Sequence, residues 1–236
     1  MITSASNQRL KLIRRLESRR QRANLGLFVC EGEDLVDAAD AAGIEPVDLL
    51  VAGKDVEPKL LASVSTLAHP PRVIGVYRRG DLPAWAQRPA TLALWHVADP
   101  GNVGTLVRSA DAFGASVALS EGCADPTGSK ALRGTAGAIF RVPIGRFDQA
   151  AGRRIALLAH AGDPLGSVDL PEPTVFVLGA EREGVPEELI AACDAVASIP
   201  LADGAESLNV GAAGAIALYE WSRRACNDEH REGQVL

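Results

Sequence analysis

Continuous apolar runs alternate with helical patterns over the last two thirds of the chain. Apolar runs of this kind, interrupted by few polar residues, are typical of strands buried on both faces of a parallel sheet. Helices are predicted to begin near Asn102, Ser129, Val185 and Asn209. This alternation predicts an α/β fold with a mostly parallel sheet and helices on both faces. The predicted strands are Thr91–Val97, Ala115–Leu119, Ile155–Ala159, Thr174–Leu178 and Ala195–Ile199.

The N-terminal third follows a different pattern, which predicts a separate small α/β unit. Residues 6–22 are predicted to form one helix with Leu10, Ile13 and Leu16 on its apolar side. Gly80, Pro83 and Pro89 then mark a linker. We therefore predict a domain of residues 1–80, a linker of 81–90 and a second domain of 91–236. The other N-terminal elements are predicted at Leu27–Cys30, Asp34–Ala42, Val47–Val51, Pro58–Ser65 and Val73–Tyr77.

Composition excludes several classes of protein. With 236 residues and 47% hydrophobic residues, the chain can bury a sizeable core. It has no apolar run of the roughly 18 residues that a membrane span needs, and none after the N-terminal basic residues that indicates a signal peptide. The four cysteines and four histidines lack metal-ligand spacing. We predict a cytoplasmic protein that uses neither a metal nor the membrane.

Charge is distributed unevenly along the chain. The net charge is −6, but residues 1–30 carry a balance of +6, because they contain seven basic residues and only one acidic residue, Glu17. The other 206 residues therefore carry −12. Such polarity is typical of a basic arm for phosphate contact, although a solvated helix face explains it equally well. The candidate RNA-binding residues are Arg9, Lys11, Arg14, Arg15, Arg19, Arg20 and Arg22.

Polar groups beside glycine-containing turns follow three of the predicted strands. The segments are 99–108, 177–186 and 199–210. Carboxyl ends of parallel strands share one sheet edge, where open α/β folds bind ligands. In the first segment, Asn102 suits the N-cap of a helix and Arg108 projects away from its apolar stripe. From the residues alone, both also fit ordinary structural roles.

The second and third segments contain glycines with different explanations. Gly179 and Gly184 permit a tight turn, whereas Glu181 at the strand edge has no obvious local partner. Ser207 or Asn209 suits the cap of the last helix, predicted from Ser207 to about Arg224. Two glycines inside that helix, Gly211 and Gly214, each cost about 1 kcal/mol relative to Ala. They indicate close packing against another helix or a second subunit.

Competing sites find little support in the sequence. The chain has no GxGxxG after a strand, no GxxxxGK[ST] and no GxSxG, which argues against a dinucleotide site, a phosphate-binding loop and a hydrolase triad. His96 is predicted within a buried strand, as a core or strand-end histidine rather than a general base.

In their order along the chain and in their residues, the three segments resemble the motifs of the SpoU (TrmH) family of RNA ribose methyltransferases, within the SPOUT class. Two further stretches resemble the helix between the family's motifs and the substrate-binding domain that many members carry. The matching stretches are Asn102–Gly114, Leu178–Gly184, Ile199–Leu201 with Ser207–Val210, Ser129–Phe140, and Ile2–Lys11 with Phe28–Gly32.

The resemblance implies a trefoil knot near the C-terminus that binds S-adenosylmethionine. It also implies a homodimer formed through the C-terminal domain and a ribosomal-protein-like N-terminal domain that binds RNA. Cofactor contacts are implied for Gly179, Ile199 and Leu208, with Leu178 and Leu201 as apolar neighbours.

The same resemblance implies transfer of a methyl group to a ribose 2′-hydroxyl, with Arg108 activating the hydroxyl. Asn102, Glu181, Ser207 and Asn209 are implied to align the ribose and Arg108. An arginine is normally fixed in its protonated form, so phosphate orientation and alkoxide stabilisation are alternatives to a base. Ribosomal RNA is the expected substrate. The alternatives are transfer RNA as substrate, or a catalytically inactive RNA-binding protein of the same fold.

Overall fold

The N-terminal amphipathic patterns form helices packed on a three-stranded antiparallel sheet. The computed structural model describes residues 1–180 and 183–232. The first elements are α1 (Gln8–Leu16), α2 (Arg19–Leu25), β1 (Leu27–Glu31), α3 (Glu33–Ala41), β2 (Asp48–Val51), α4 (Pro58–Ala62) and β3 (Val73–Arg78). Strand β3 lies between β1 and β2. Leu10, Ile13 and Leu16 of α1 are buried with Leu50 and Ile74 of the sheet.

The prediction of one helix over residues 6–22 is wrong, because the helix breaks after Leu16. Ser18 has an extended backbone, with φ −78° and ψ 125°, and α2 then starts at Arg19. The break leaves the carbonyl groups of Leu16 and Glu17 without helical partners. The Arg22 guanidinium donates to both, at 2.9 and 2.8 Å. A buried side chain thus stabilises the interruption.

The continuous apolar runs of the C-terminal part form one parallel sheet of seven strands. Its elements are β4 (Ala90–Trp95), α5 (Pro100–Ala112), β5 (Ser116–Leu119), α6 (Ser129–Thr135), β6 (Ile144–Arg146), β7 (Arg153–Leu158), β8 (Asp163–Pro164), β9 (Thr174–Gly179), α7 (Glu187–Ala191), β10 (Ala195–Ser198) and α8 (Val210–Glu232). The strand order is β6-β5-β4-β9-β7-β10-β8, and all of these pairings are parallel. The predicted α/β class is confirmed.

Helices cover both faces of this sheet, which explains why its central strands β4 and β9 are nearly continuous apolar runs. Leu92 and Phe176 point to the face covered by α5 and α8. Ala93 and Val175 point to the opposite face, where α7 and Trp85 cover them. No helix in the described part of the chain is long and apolar enough to span a membrane.

Helix α8 packs closely on α5 through its glycines. A Cβ atom on Gly211 would lie 3.0 Å from Thr105 Cγ2, and one on Gly214 would overlap the Leu106 side chain. The close packing predicted for the two glycines is therefore present within the chain, against another helix. Their cost in helix propensity is offset by the tight contact that they allow.

The structure differs from the sequence predictions in two short strands and at the ends of some elements. Strands β6 and β8 were not predicted, because they have only three and two residues and no apolar run. Helix α8 starts at Val210 rather than Ser207. Strand β4 ends at Trp95, so His96 lies outside it, exposed and with φ +53°.

The two sheets are joined by apolar packing and by an anchored connection. Phe28 and Tyr77 of the N-terminal unit pack against Phe140, with ring centroids 6.3 and 5.9 Å away. In the connection, Gln87 donates to the Thr91 hydroxyl at 2.6 Å and accepts from the Ala151 amide at 3.0 Å. The segment between β3 and β4 is therefore fixed to the larger sheet.

Candidate active site

A cavity of about 340 Å³ opens at the carboxyl edge of the sheet, where β7, β9 and β10 end. This volume is in the range of small-molecule sites. The second and third glycine-containing segments converge on it. The cavity is lined by all five predicted cofactor-binding residues and two of the predicted catalytic ones, Leu178, Gly179, Ile199, Leu201, Leu208, Ser207 and Asn209.

The end of β7 contributes a third wall that the sequence analysis missed. Leu157, Leu158 and Ala159 line the cavity, although no polar or glycine-containing motif marks them. Their only signal is their position at the carboxyl end of a buried strand, beside β9 and β10. None of the described residues that line the cavity is charged. The described residues also contain no cluster of three or more His, Cys, Asp or Glu suited to a metal.

A tight turn after β9 forms one rim of the cavity. The Gly184 amide donates to the Ala180 carbonyl at 2.9 Å, and Gly184 has φ +66°, which favours glycine. A Cβ atom on Gly179 would overlap the backbone of Gly184 and Val185. Both glycines are therefore required by the turn itself. Glu181, predicted to be catalytic, lies outside the described residues.

Two asparagines connect the helices at the opposite rim. The Asn209 amide nitrogen donates to Asn102 Oδ1 at 3.0 Å. Asn209 Oδ1 accepts from the Gly211 amide at 2.9 Å, so Asn209 caps α8, which was one of the two predicted possibilities. The first motif, through Asn102, therefore reaches the segment that lines the cavity.

Asn102 is not the N-cap of α5, in contrast to the sequence prediction. Asp99 takes that position and accepts from the amides of Gly101 and Asn102 at 2.7 and 3.1 Å. Its other carboxylate oxygen binds Lys130 Nζ at 2.8 Å. The hydrogen bond from Lys130, together with these amides, lowers the pKa of Asp99. Asn102 lies in the first helical turn, and its side chain is used for the contact with α8.

Arg108 lies on the exposed side of α5 and makes no hydrogen bond or ion pair with any described residue. It follows Asn102 by six residues, which is about 9 Å along a helix axis. Thr105, midway between them, contacts α8 at Gly211. Helical side chains tilt toward the N-terminus, here toward Asn102. The predicted catalytic arginine is therefore exposed, and none of its donors is used by a residue in the described part of the chain.

The C-terminal sheet and its helices match a model of a known protein family over residues 89–219, described as the SpoU rRNA Methylase family. The chain belongs to this family. A second match covers residues 7–79 and is described as an MRM3-like substrate binding domain. The two matches lie on either side of the connection between β3 and β4.

Relatives of this SpoU chain extend over nearly its whole length. It is 30% identical to the 23S rRNA (guanosine(2553)-2'-O)-methyltransferase RlmP of Bacillus subtilis, over 92% of this chain and 97% of that protein. An AdoMet-bound rRNA methyltransferase from Sinorhizobium meliloti has a TM-score of 0.83 and 30% identity, covering 95% and 97% of the two chains. The SpoU methyltransferase AviRb from Streptomyces viridochromogenes, in complex with AdoMet, has a TM-score of 0.81 and 26% identity, covering 93% and 98%.

One predicted RNA-binding arginine of the SpoU chain is buried between its two units. Arg22 is 6% exposed, and its Nε donates to Asp125 Oδ2 at 2.9 Å. Burial opposes ionisation of Asp125, but hydrogen bonds from Thr127 and the charges of Arg79 and Arg22 outweigh it and lower the pKa of Asp125. These contacts leave Arg22 no surface for a phosphate, and they favour a structural role.

The other predicted RNA-binding residues are engaged to different extents. Arg9 pairs with Asp48. Arg14, Arg15 and Arg19 each make side-chain hydrogen bonds that leave part of the guanidinium exposed. Lys11 and Arg20 are exposed and have no partner among the described residues. Phosphate contact by all six of these residues stays a prediction, and Lys11 and Arg20 are the most available because they have no partner in the described part of the chain.

Proposed function

We propose that this SpoU protein transfers a methyl group from S-adenosylmethionine to a ribose 2′-hydroxyl of ribosomal RNA. One observation carries the proposal: two glycine-containing segments converge on a single cavity, and the Asn102–Asn209 hydrogen bond joins the first motif to its rim. The names of the relatives, which include a 23S rRNA 2'-O-methyltransferase, support ribosomal RNA as the substrate.

The cavity fits S-adenosylmethionine in size and in chemistry. Its apolar residues, among them Ile199 and Leu208, suit the faces of an adenine. Peptide groups at Gly179 suit its polar edge. The absence of Lys and Arg from the described lining suits a sulfonium cation, which a like charge would repel. S-adenosylmethionine supplies an activated methyl group to a nucleophile held in line with it, without a metal.

The residues at the rim orient the nucleophile. A ribose hydroxyl is a weak nucleophile until its proton leaves or its developing charge is stabilised. Ser207 and Asn209 line the cavity and can donate hydrogen bonds to the ribose. Asn102 fixes Asn209 at 3.0 Å, so it acts as a positioning residue as well. We keep Glu181 in this group as a prediction from the motif.

Arg108 supplies positive charge beside the reacting oxygen. Because a guanidinium keeps its proton in proteins, we assign it the orientation of an RNA phosphate and stabilisation of the alkoxide rather than proton abstraction. Arg108 is exposed on the side of α5 that includes Thr105 and has no partner among the described residues, which supports this role.

We assign RNA binding to a domain of residues 1–80, joined by residues 81–90 to a methyltransferase domain of residues 91–236. The match of residues 7–79 to a substrate-binding domain and the exposed Lys11 and Arg20 support this division. The free cysteines Cys30, Cys123 and Cys193 support a reducing compartment such as the cytoplasm.

Two architectural features belong to the proposal. We propose that α8 passes through the loop that precedes it, which forms the trefoil knot. Its packing against α5, β4 and β9, beside the cavity-lining segment 199–210, supports this.

We also propose a homodimer through the C-terminal domain. Ile216 and Tyr219 of α8 are 38% and 56% exposed, and a second copy would cover them. Tyr219→Glu should then sediment as a monomer.

The experiment that tests the function maps 2′-O-methyl groups. Ribosomal and transfer RNA from cells with and without the gene would be compared, and titration calorimetry would measure S-adenosylmethionine binding. We expect one ribose methyl group in ribosomal RNA to disappear with the gene. Loss of a methyl group only from transfer RNA would show that transfer RNA, and not ribosomal RNA, is the substrate. Absence of cofactor binding would refute the enzyme and favour an RNA-binding protein.

A further inference from the structure

A cleft of about 820 Å³ lies beside the cofactor cavity, at the carboxyl ends of β4, β5 and β6. Its floor includes Trp95, and its opposite wall comes from Arg19, Ala23 and Arg79 of the N-terminal unit. In the β4–β9 register, Trp95 pairs with Gly179, which lines the cofactor cavity. Paired strands are about 4.8 Å apart. The cleft and the cavity are therefore adjacent along one sheet edge.

We propose that this cleft binds a nucleotide of the RNA substrate, with its base stacked on the aromatic pair Trp95 and His96. This inference rests on the proposed function and adds a second contact point for the RNA. The nucleotide would be a neighbour of the one that is methylated, because the cleft lies at the ends of β4, β5 and β6, whereas the cavity lies at the ends of β7, β9 and β10.

The aromatic side chains that line the cleft form a stacked group. The rings of Trp95 and His96 are nearly parallel, with centroids 4.8 Å apart and planes at 6°. Phe147 meets Trp95 edge-on, at 5.3 Å and 72°. Trp95 is half-buried and His96 is exposed. Such rings bind single-stranded RNA because every base offers a flat face for stacking.

The backbone of His96 holds its ring in this stack. Its φ of +53° lies in the left-handed region, which residues with a Cβ adopt at a cost. Its amide donates to Ser120 Oγ at 3.0 Å. A Cβ atom on Gly122 would lie only 3.1 Å from His96 Cδ2, so glycine leaves room for the ring. The hydrogen bond to Ser120 and the space left by Gly122 thus maintain an unfavourable conformation, as is common at binding sites.

The charges of the cleft suit one nucleotide better than an acidic peptide. The carboxylate of Asp125 pairs with Arg22 and Arg79, and that of Asp148 pairs with Arg146. Glu121 adds one further negative charge. Arg19 donates to the Cys123 carbonyl at 3.0 Å and keeps other donors exposed. The base would enter the nearly neutral cleft, and its phosphate would bind Arg19 at the wall.

The test uses His96→Gly, which removes the ring and also suits the positive φ. His69→Gly, at an exposed position in the N-terminal unit, is the matched control. The probe is a short single-stranded RNA containing 2-aminopurine, whose fluorescence falls when the base stacks. We expect the wild-type protein to quench it, and His96→Gly to bind about five- to tenfold more weakly with less quenching. His69→Gly should match the wild type.

Calorimetry with S-adenosylmethionine separates this inference from the proposed function. We expect His96→Gly to bind the cofactor like the wild type. Unchanged RNA affinity in His96→Gly, or no quenching by the wild type, overturns the subsite even when the cofactor binds. A parallel loss of cofactor binding in His96→Gly overturns it too, because the ring would then support the cavity. Failure of the wild type to bind the cofactor refutes the proposed function instead.

Discussion

Two regions of the chain contain arginines that look equally available in the sequence and differ completely in the structure. Arg22 of α2 is buried and bonded to Asp125 and to the carbonyl groups at the break after α1. Arg108 of α5 is exposed and has no partner among the described residues. A count of basic residues therefore does not distinguish an arginine that joins two units from one that can contact RNA.

Breaking the buried Arg22–Asp125 pair should give the largest change in stability. Asp125→Ala leaves Arg22 as an uncompensated buried charge, so we expect the free energy of unfolding to fall by about 3–5 kcal/mol in urea titrations. Asp148→Ala, which removes an exposed ion pair with Arg146, is the matched control and should unfold like the wild type. The double variant Arg22→Met/Asp125→Leu should lose less than Asp125→Ala. Equal losses in Asp125→Ala and Asp148→Ala would contradict the structural role of Arg22.

Substitution of the exposed Arg108 should lower activity and leave stability unaffected. We expect Arg108→Ala to lower the methyl-transfer rate by about 10²–10³-fold, the effect of losing one electrostatic stabiliser of a transition state. Binding of S-adenosylmethionine and the free energy of unfolding should stay at wild-type values. Arg108→Lys should recover part of the rate, because it keeps the charge without the planar donor group. Near-normal methylation by Arg108→Ala would remove this residue from the mechanism.

Acid should weaken the buried Arg22–Asp125 pair. The pKa of Asp125 is lowered in the folded protein, so its contribution is present above the unfolded pKa of about 3.9 and is lost as the pH falls through the folded pKa. We expect the difference in unfolding free energy between wild type and Asp125→Asn to be constant from about pH 5 to 7 and to shrink below about pH 4. A constant difference at acid pH would show that the carboxylate charge is not what stabilises the contact.

The exposed basic residues of the N-terminal unit should give the smallest effects. Lys11→Ala and Arg20→Ala should each weaken RNA binding slightly and lower the slope of log affinity against log salt by about 1. Arg223→Ala, at an exposed arginine of α8 paired with Glu220, is the control and should leave the slope unchanged. Slopes equal to the wild type in both N-terminal variants would place RNA contact elsewhere.

The cavity-lining residues show which parts of the site can be predicted from the sequence. Gly179 and Ile199 were predicted at the site, because each lies at the carboxyl end of a buried strand, in a segment that resembles a known motif. Leu157 and Leu158 were missed, since an apolar strand end looks the same whether it borders a cavity or a helix. The N-cap of α5 was assigned to Asn102 instead of Asp99, because both residues suit that position and only the contact with Asn209 separates them.

Most strands and helices, the parallel arrangement of the larger sheet and the glycine-containing turns at the cavity were determined by local features of the sequence. Apolar periodicity, glycine positions and helix-starting residues act over a few neighbouring positions, so they can be read along the chain. The roles of individual polar side chains were decided only by the tertiary structure. Arg22 and Asp125 are 103 positions apart, and Asn102 and Asn209 are 107 apart. The role of a charged or amide side chain depends on the residue that it contacts. Folding brings these contact partners together from distant parts of the chain.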